Sequence, residues 1–151
     1  MPEVQCGFSD GPQSKGFELL IQFGPTIYVN IGFDGKWKPG VPVAPIPGVT
    51  KIEALVDTGA TRSCIDDALA QSLNLPVVDM QPLGGVSGTL MSKVYLAQVH
   101  VPSLQRTIYG TFNGVHLVAG GQTHRALLGR TFLRGHIMTY NGNTGEVKIS
   151  S

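Results

Sequence analysis

The stretch EALVDTGATRSCID, residues 53–66, holds one carboxylate in an unusual setting. The apolar run Ala54-Leu55-Val56 leads straight into Asp57, and Thr58-Gly59-Ala60-Thr61 follows with no charge to neutralise it. A strand that ends this way holds an acid rigidly while the backbone turns away from it. Gly59 permits the turn and leaves room above the carboxylate for another backbone or a substrate. The Thr58 hydroxyl is able to hydrogen-bond across to a neighbouring segment. The same residues also read as a plain turn, since Asp before Thr-Gly is common turn chemistry. Of the six aspartates, Asp10, Asp34, Asp57, Asp66, Asp67 and Asp79, only Asp57 is followed by Thr-Gly or Ser-Gly.

Other chemistries find no footing. The four histidines, His100, His116, His124 and His136, show no H-x-x-x-H spacing, and the acids do not cluster, so no metal or other cofactor is expected. GVSGT lacks the G-x-S-x-G spacing of a serine nucleophile. A phosphorylated aspartate would need a parallel α/β sheet, which the short strands do not offer. Cys6 and Cys64 form no C-x-x-C pair and read as reduced thiols.

The elements that must position Asp57 follow from composition. A chain of 151 residues with 42% hydrophobic content is the size of one domain with a real core. The net charge of +1 comes without a basic run, which argues against nucleic acid as a partner. No apolar stretch reaches the ~18 residues of a membrane span, and MPEVQCGFSDGPQSKG lacks the plan of a secretory leader. The expectation is a soluble, cytoplasmic protein with no membrane partner.

Twenty glycines and ten prolines punctuate short segments rich in Val, Ile, Leu and Tyr, so the protein is expected to be mostly β. Strands are predicted at 17–23, 26–33, 51–57, 76–83, 90–101, 108–118, 126–128, 137–140 and 146–149. The last two flank NGNTG, a tight loop in which Asn141-Gly142 and Gly145 would take positive φ. The four prolines of 34–49 make that stretch an extended loop. One helix is expected over DDALAQSLNL, capped by Asp66 or Ser63 and stopped by Pro76, and a second, shorter one from Arg130 to Gly135. Residues 1–16 are expected to form a flexible segment ahead of a domain at 17–151.

Two motifs, ALVDTGAT at 54–61 and LLGRTFL at 127–133, with the glycine-rich PLGGVSGTL at 82–90 between them, resemble the retropepsin-like aspartic proteases. These are the proteases of retroviruses and their single-domain bacterial and cellular relatives. The resemblance runs from about Phe17 to Ile149, though its specificity lives in the short motifs. It implies a mostly β, closed-barrel-like acid protease fold with one or two short helices and one half-site per chain. It also implies an aspartic endopeptidase, a homodimer acting on a peptide or protein substrate, in which two Asp57 carboxylates share a proton and activate a water. Thr58, Gly59 and Ala60 would form the active-site loop, and the apolar segment ending in Gly129 and Arg130 would cross beneath it. Residues 83–90 would be the flap, with Gly85 and Val86 toward the substrate. Leu55, Ala60 and Leu127 would line the cleft, and His124 and Arg125 would border a side-chain pocket.

The residues themselves leave alternatives open. The glycine-rich hairpin is also an ordinary turn, Leu127 is also a core residue, and His124 and Arg125 also suit a solvated loop. Cys64 is equally a small buried side chain. The whole domain is also consistent with a non-proteolytic peptide-binding or dimerisation module. One departure is plain: Thr61 and Arg62 stand where retroviral enzymes carry acids, one of which pairs with the arginine of the Gly-Arg motif. Arg130 then needs another acceptor, among Asp66, Asp67, Glu53 or a backbone carbonyl, and the viral dimer contacts do not carry over.

Overall fold

A computed structural model describes residues 2–40, 48–85 and 88–151 of the chain. The elements are β1 (Glu3–Gln5), α1 (Gly16–Phe23), β2 (Thr26–Gly32), β3 (Gly48–Val56), β4 (Cys64–Asp66), α2 (Asp67–Ser72), β5 (Val77–Gly85), β6 (Gly88–Val101), β7 (Arg106–Val115), β8 (Ala126–Leu128), α3 (Arg130–Leu133), β9 (Ile137–Tyr140) and β10 (Val147–Ser150), with a 3-10 turn at Pro102–Leu104. Among the described residues, no helix is long and apolar enough to cross a membrane.

Alternation of side chains along each strand gives every strand one apolar face, and the chain buries those faces by closing the sheet on itself. The order β2-β3-β8-β4-β7-β6 ends with β6 pairing back onto β2, which makes a six-stranded barrel. Closure removes the open edges that would otherwise invite pairing with other chains. On β3, Ile52, Ala54 and Val56 are buried, and they meet Val29, Ile31, Val99, Val101, Leu128 and Phe132 in one core. β3 runs parallel to β8, and β4 runs parallel to β7. β5 lies outside the ring, paired only to β6. The expected mostly β, barrel-like architecture is therefore what forms.

Several details differ from expectation. Residues 17–23, predicted as a strand from their apolar content between Gly/Pro-rich stretches, form α1 instead. The Asp10 carboxylate accepts the Gly16 N–H at 2.8 Å, Leu20 buries itself, and Gly24 ends the helix at φ 73°. Residues 1–16, expected to be flexible, include β1, which pairs with β10 beside β9 in a second sheet. β4 was not expected, and β7 starts and ends earlier than 108–118. Of the proline-rich loop, residues 41–47 lie outside the described residues, and Gly48 and Val49 belong to β3. In the last hairpin only Gly145 takes positive φ, and the Asn141 side chain instead accepts the N–H groups of Asn143 and Thr144.

Asp66, and not Ser63, caps α2. Its Oδ2 accepts the Leu69 N–H at 3.3 Å, and its Oδ1 accepts those of Leu117 and Val118 at 3.0 and 3.2 Å. The carboxylate is buried, and it shares the Leu117 N–H with the Val115 carbonyl, 3.1 Å away. Asp66→Ala is expected to cost about 1–3 kcal/mol, a helix cap plus the loss of the tie that holds residues 117 and 118 to it. Urea unfolding would show this as a lowered midpoint at unchanged slope.

Candidate active site

Asp57 sits where β3 leaves the barrel, and its own N–H still donates to the Leu128 carbonyl at 2.8 Å. The chain then turns: Asp57 Oδ1 accepts the Gly59 N–H at 2.9 Å, and the Asp57 carbonyl accepts that of Ala60 at 3.2 Å. Asp57 is half-buried, whereas Thr58 and Gly59 are exposed. Oδ2 has no hydrogen-bond partner among the described residues.

A loop that leaves its sheet must find donors for its carbonyls elsewhere. Here they come from one segment. Arg130 and Thr131 donate their N–H groups to the carbonyls of Ala60 and Thr61 at 2.8 and 3.2 Å. The Arg130 guanidinium reaches the Thr58 carbonyl through Nη1 at 2.7 Å and the Thr61 hydroxyl through Nη2 at 2.9 Å. Gly129 donates to Ser63 Oγ at 3.1 Å, and a Cβ there would lie 2.6 Å from the Arg62 carbonyl oxygen and 2.8 Å from that of Ala60. The acceptor sought for Arg130 is thus a backbone carbonyl together with a hydroxyl. Asp66 is committed to α2, and Asp67 accepts from Tyr95 at 2.6 Å and Gln71 at 2.7 Å. Glu53 contributes only a backbone carbonyl nearby, to the N–H of Arg125.

Leu55, two residues before Asp57, and Leu127 are half-buried register partners on the parallel strands β3 and β8, and Ala60 is half-buried in the loop. The glycine-rich hairpin forms, with β5 and β6 paired as far as Gly85 and Gly88. Val86 lies outside the described residues. A tie that sequence reasoning missed joins hairpin to loop: Arg62 Nη1 donates to Gln81 Oε1 on β5 at 3.1 Å, and the buried Asn113 donates to the same oxygen at 3.4 Å.

His124 is 3% exposed, which overturns its reading as a solvated loop residue. The Thr26 hydroxyl lies 3.1 Å from the Gly24 carbonyl and 2.8 Å from His124 Nε2. His124 Nδ1 is buried with no hydrogen-bond partner among the described residues. Burial holds the imidazole below its usual pKa, against an opposing pull from Glu53. Arg125 is half-buried and enters the ladder through its backbone, its carbonyl accepting from Asp66 N–H. His124 lines a cavity of about 1040 Å³ with Phe8, Phe23, Tyr28 and Glu53, and Asp57 is not on its wall. Cys64 is unpaired and half-buried. Burial, and then the Asp57 charge, push its thiol upward, which keeps it protonated and unreactive.

The family described as gag-polyprotein putative aspartyl protease matches residues 44–135. No curated protein matches the sequence. Among solved structures, the chain is similar to the solution structure of the simian foamy virus (mac) protease, at 16% identity over 72% of this chain and 91% of that one, with a TM-score of 0.47. It is also similar to EIAV protease complexed with the inhibitor HBY-793, at 18% identity over 83% of this chain and 91% of that one, with a TM-score of 0.48.

Two predictions follow from this geometry. Gly129→Ala should destabilise the chain by about 1–3 kcal/mol, because the backbone oxygens its methyl meets cannot swing aside. A thermal melt compared with Arg134→Ala, a change at an exposed site, would read it. The second concerns acid. With the folded pKa of His124 depressed below 6.5, the unfolded chain binds the proton more readily, so stability is full above that value and falls as pH drops through it. His100 and His136, also lowered, act with the same sign. Between about pH 7.5 and about pH 5.5 the urea midpoint should fall, and His124→Gln should flatten that slope.

Proposed function

The chain belongs to the gag-polyprotein aspartyl protease family, and from that premise we propose that it is an aspartic endopeptidase whose site is completed by a second copy of itself. The observation that carries this reading is the Asp57 loop: one acid with an unpartnered Oδ2, beside exposed Thr58 and Gly59, on a turn secured from beneath at three carbonyls. Each chain supplies one such acid. A two-fold axis through the loop would bring two Asp57 carboxylates together and set each Thr58 hydroxyl against the partner copy.

Two carboxylates held that close cannot both be ionised, so the pair keeps one proton between them, as in aspartic proteases generally. The ionised member takes a proton from water as the water oxygen bonds to the substrate carbonyl carbon. The protonated member gives its proton to the carbonyl oxygen. The resulting diol then breaks its C–N bond: the leaving nitrogen takes a proton from the pair, and a diol hydroxyl gives one back as the carboxyl product forms, which restores the shared proton. Leu55, Ala60 and Leu127 offer an apolar floor beside this centre, and the β5–β6 hairpin offers backbone hydrogen bonds to an extended peptide lying over it.

Asp57→Asn is expected to abolish cleavage of a mixed peptide library while leaving the thermal melt near wild type, since shape is kept and the proton is lost. Activity near wild type in that variant would sink the assignment. A correctly folded, dimeric wild type that cuts nothing at any pH would favour a binding module. Specific activity should also fall on dilution, because half-sites separate below the dimer dissociation constant. The rate against pH should be bell-shaped, failing in acid when the second carboxylate takes a proton and in alkali when the shared proton leaves.

A further inference from the structure

We propose that Arg62 makes the enzyme selective for substrates with an acidic side chain, Asp or Glu, lying across the active-site loop beneath the flap stem; the inference rests on the peptidase reading above. Arg62 is five residues past Asp57 on the same loop. Its carbonyl faces the Gly129 position on the underside, which fixes its backbone to the floor of the site. Its side chain is exposed, and Nη1 reaches Gln81 Oε1 on β5, four residues before hairpin pairing ends at Gly85. The guanidinium therefore bridges the loop below and the flap arm above, the gap through which a bound peptide must run.

The charge at this point is uncompensated. Among the described residues the ion pairs are Lys15 with Asp10 and Lys148 with Glu3, and neither involves Arg62. Its one partner is a neutral amide. Arg130, the second cation near the loop and the first residue of α3, has a side chain likewise engaged only with a carbonyl and a hydroxyl. The nearby carboxylate of Asp79 is taken by the far end of the same amide, Gln81 Nε2 at 3.2 Å, and by the Met80 N–H at 2.8 Å. A guanidinium has five N–H donors in a planar fork that matches a carboxylate with two parallel bonds, and here one donor is in use. A substrate carboxylate would replace the amide oxygen with a charged acceptor, leaving Gln81 to Asn113 and Asp79.

In open water such a pair contributes little. A bound peptide lying against the loop and β5 would displace water from around Arg62, and the same attraction strengthens as water leaves. Lysine at that substrate position would meet like charge. Two-fold symmetry places one Arg62 on each side of the scissile bond, so the preference should appear at two substrate positions, one on either side.

The test is a set of peptides built on any cleaved sequence, with Glu, Gln or Lys placed in turn at each position. Wild type should cut the best Glu peptide about tenfold or more faster in kcat/KM than its Gln counterpart, with the ratio shrinking as salt rises. Arg62→Gln should bring that ratio near one by slowing the Glu peptide far more than the Gln peptide, whereas a merely structural role would slow both alike and leave the ratio unchanged. Arg62→Glu should turn the preference toward Lys. Peptides cut with no preference for Glu, or a preference that survives Arg62→Gln, would overturn this inference alone. If wild type cuts no peptide at all, the peptidase reading fails and this one falls with it.

Discussion

Three backbone carbonyls, those of Thr58, Ala60 and Thr61, take their hydrogen bonds from a single segment far along the chain, Arg130 and Thr131. The loop that carries Asp57 has left its sheet, so no strand neighbour is there to serve it. Each carbonyl left without a donor would cost about 1–3 kcal/mol if shielded from water. The Arg130 fork serves a carbonyl and a hydroxyl at once, a geometry a lysine ammonium cannot reproduce. Gly129 lets the segment come close enough to do so. The barrel order serves the same end: β8 lies between β3 and β4, the two strands that flank the loop, and so delivers Gly129 and Arg130 directly under it.

The hairpin above the loop depends on the barrel in a different way. β6 pairs with β7 from Val94 to Val101, and with β5 from Gly88 to Tyr95. Its lower half is barrel wall, and its upper half is one arm of a two-stranded ribbon. Such a ribbon is marginal alone, so its order is inherited from the strand it continues. Arg62 and Asn113 meet Gln81 near this changeover, where one residue of the arm answers to both the loop and the wall.

What was legible in the sequence was whatever local chemistry dictates. The turn at Asp57, the β8 segment, the glycine-rich hairpin and the closing pair β9–β10 each carry their own signals of apolar runs and glycines. What was not legible depended on contacts between distant residues. Phe17, Leu19, Ile21 and Phe23 alternate as a strand would, yet Gly16 is held by Asp10 and packs against the Phe8 and Thr144 carbonyls, and the segment coils. β4 is too short to announce itself and exists because β7 and β8 pair with it from either side. His124 gave no sign of burial, since its partner Thr26 lies 98 residues away. The Gln81 link to Arg62 is a side-chain contact between elements, and no spacing rule points to it.

Arg130 stands 72 residues beyond Thr58. Ribosomes add about 5–20 residues per second, so roughly 4–14 s pass between the synthesis of Thr58 and the arrival of the arginine that secures it. Parallel pairing of β3 with β8 adds a slow, non-local closure of its own. The acid is thus among the earlier parts of the domain to be made and among the last to be held in place. A nascent chain carries Asp57 on an unsupported turn, and the geometry of the candidate site arrives only once the domain is nearly whole.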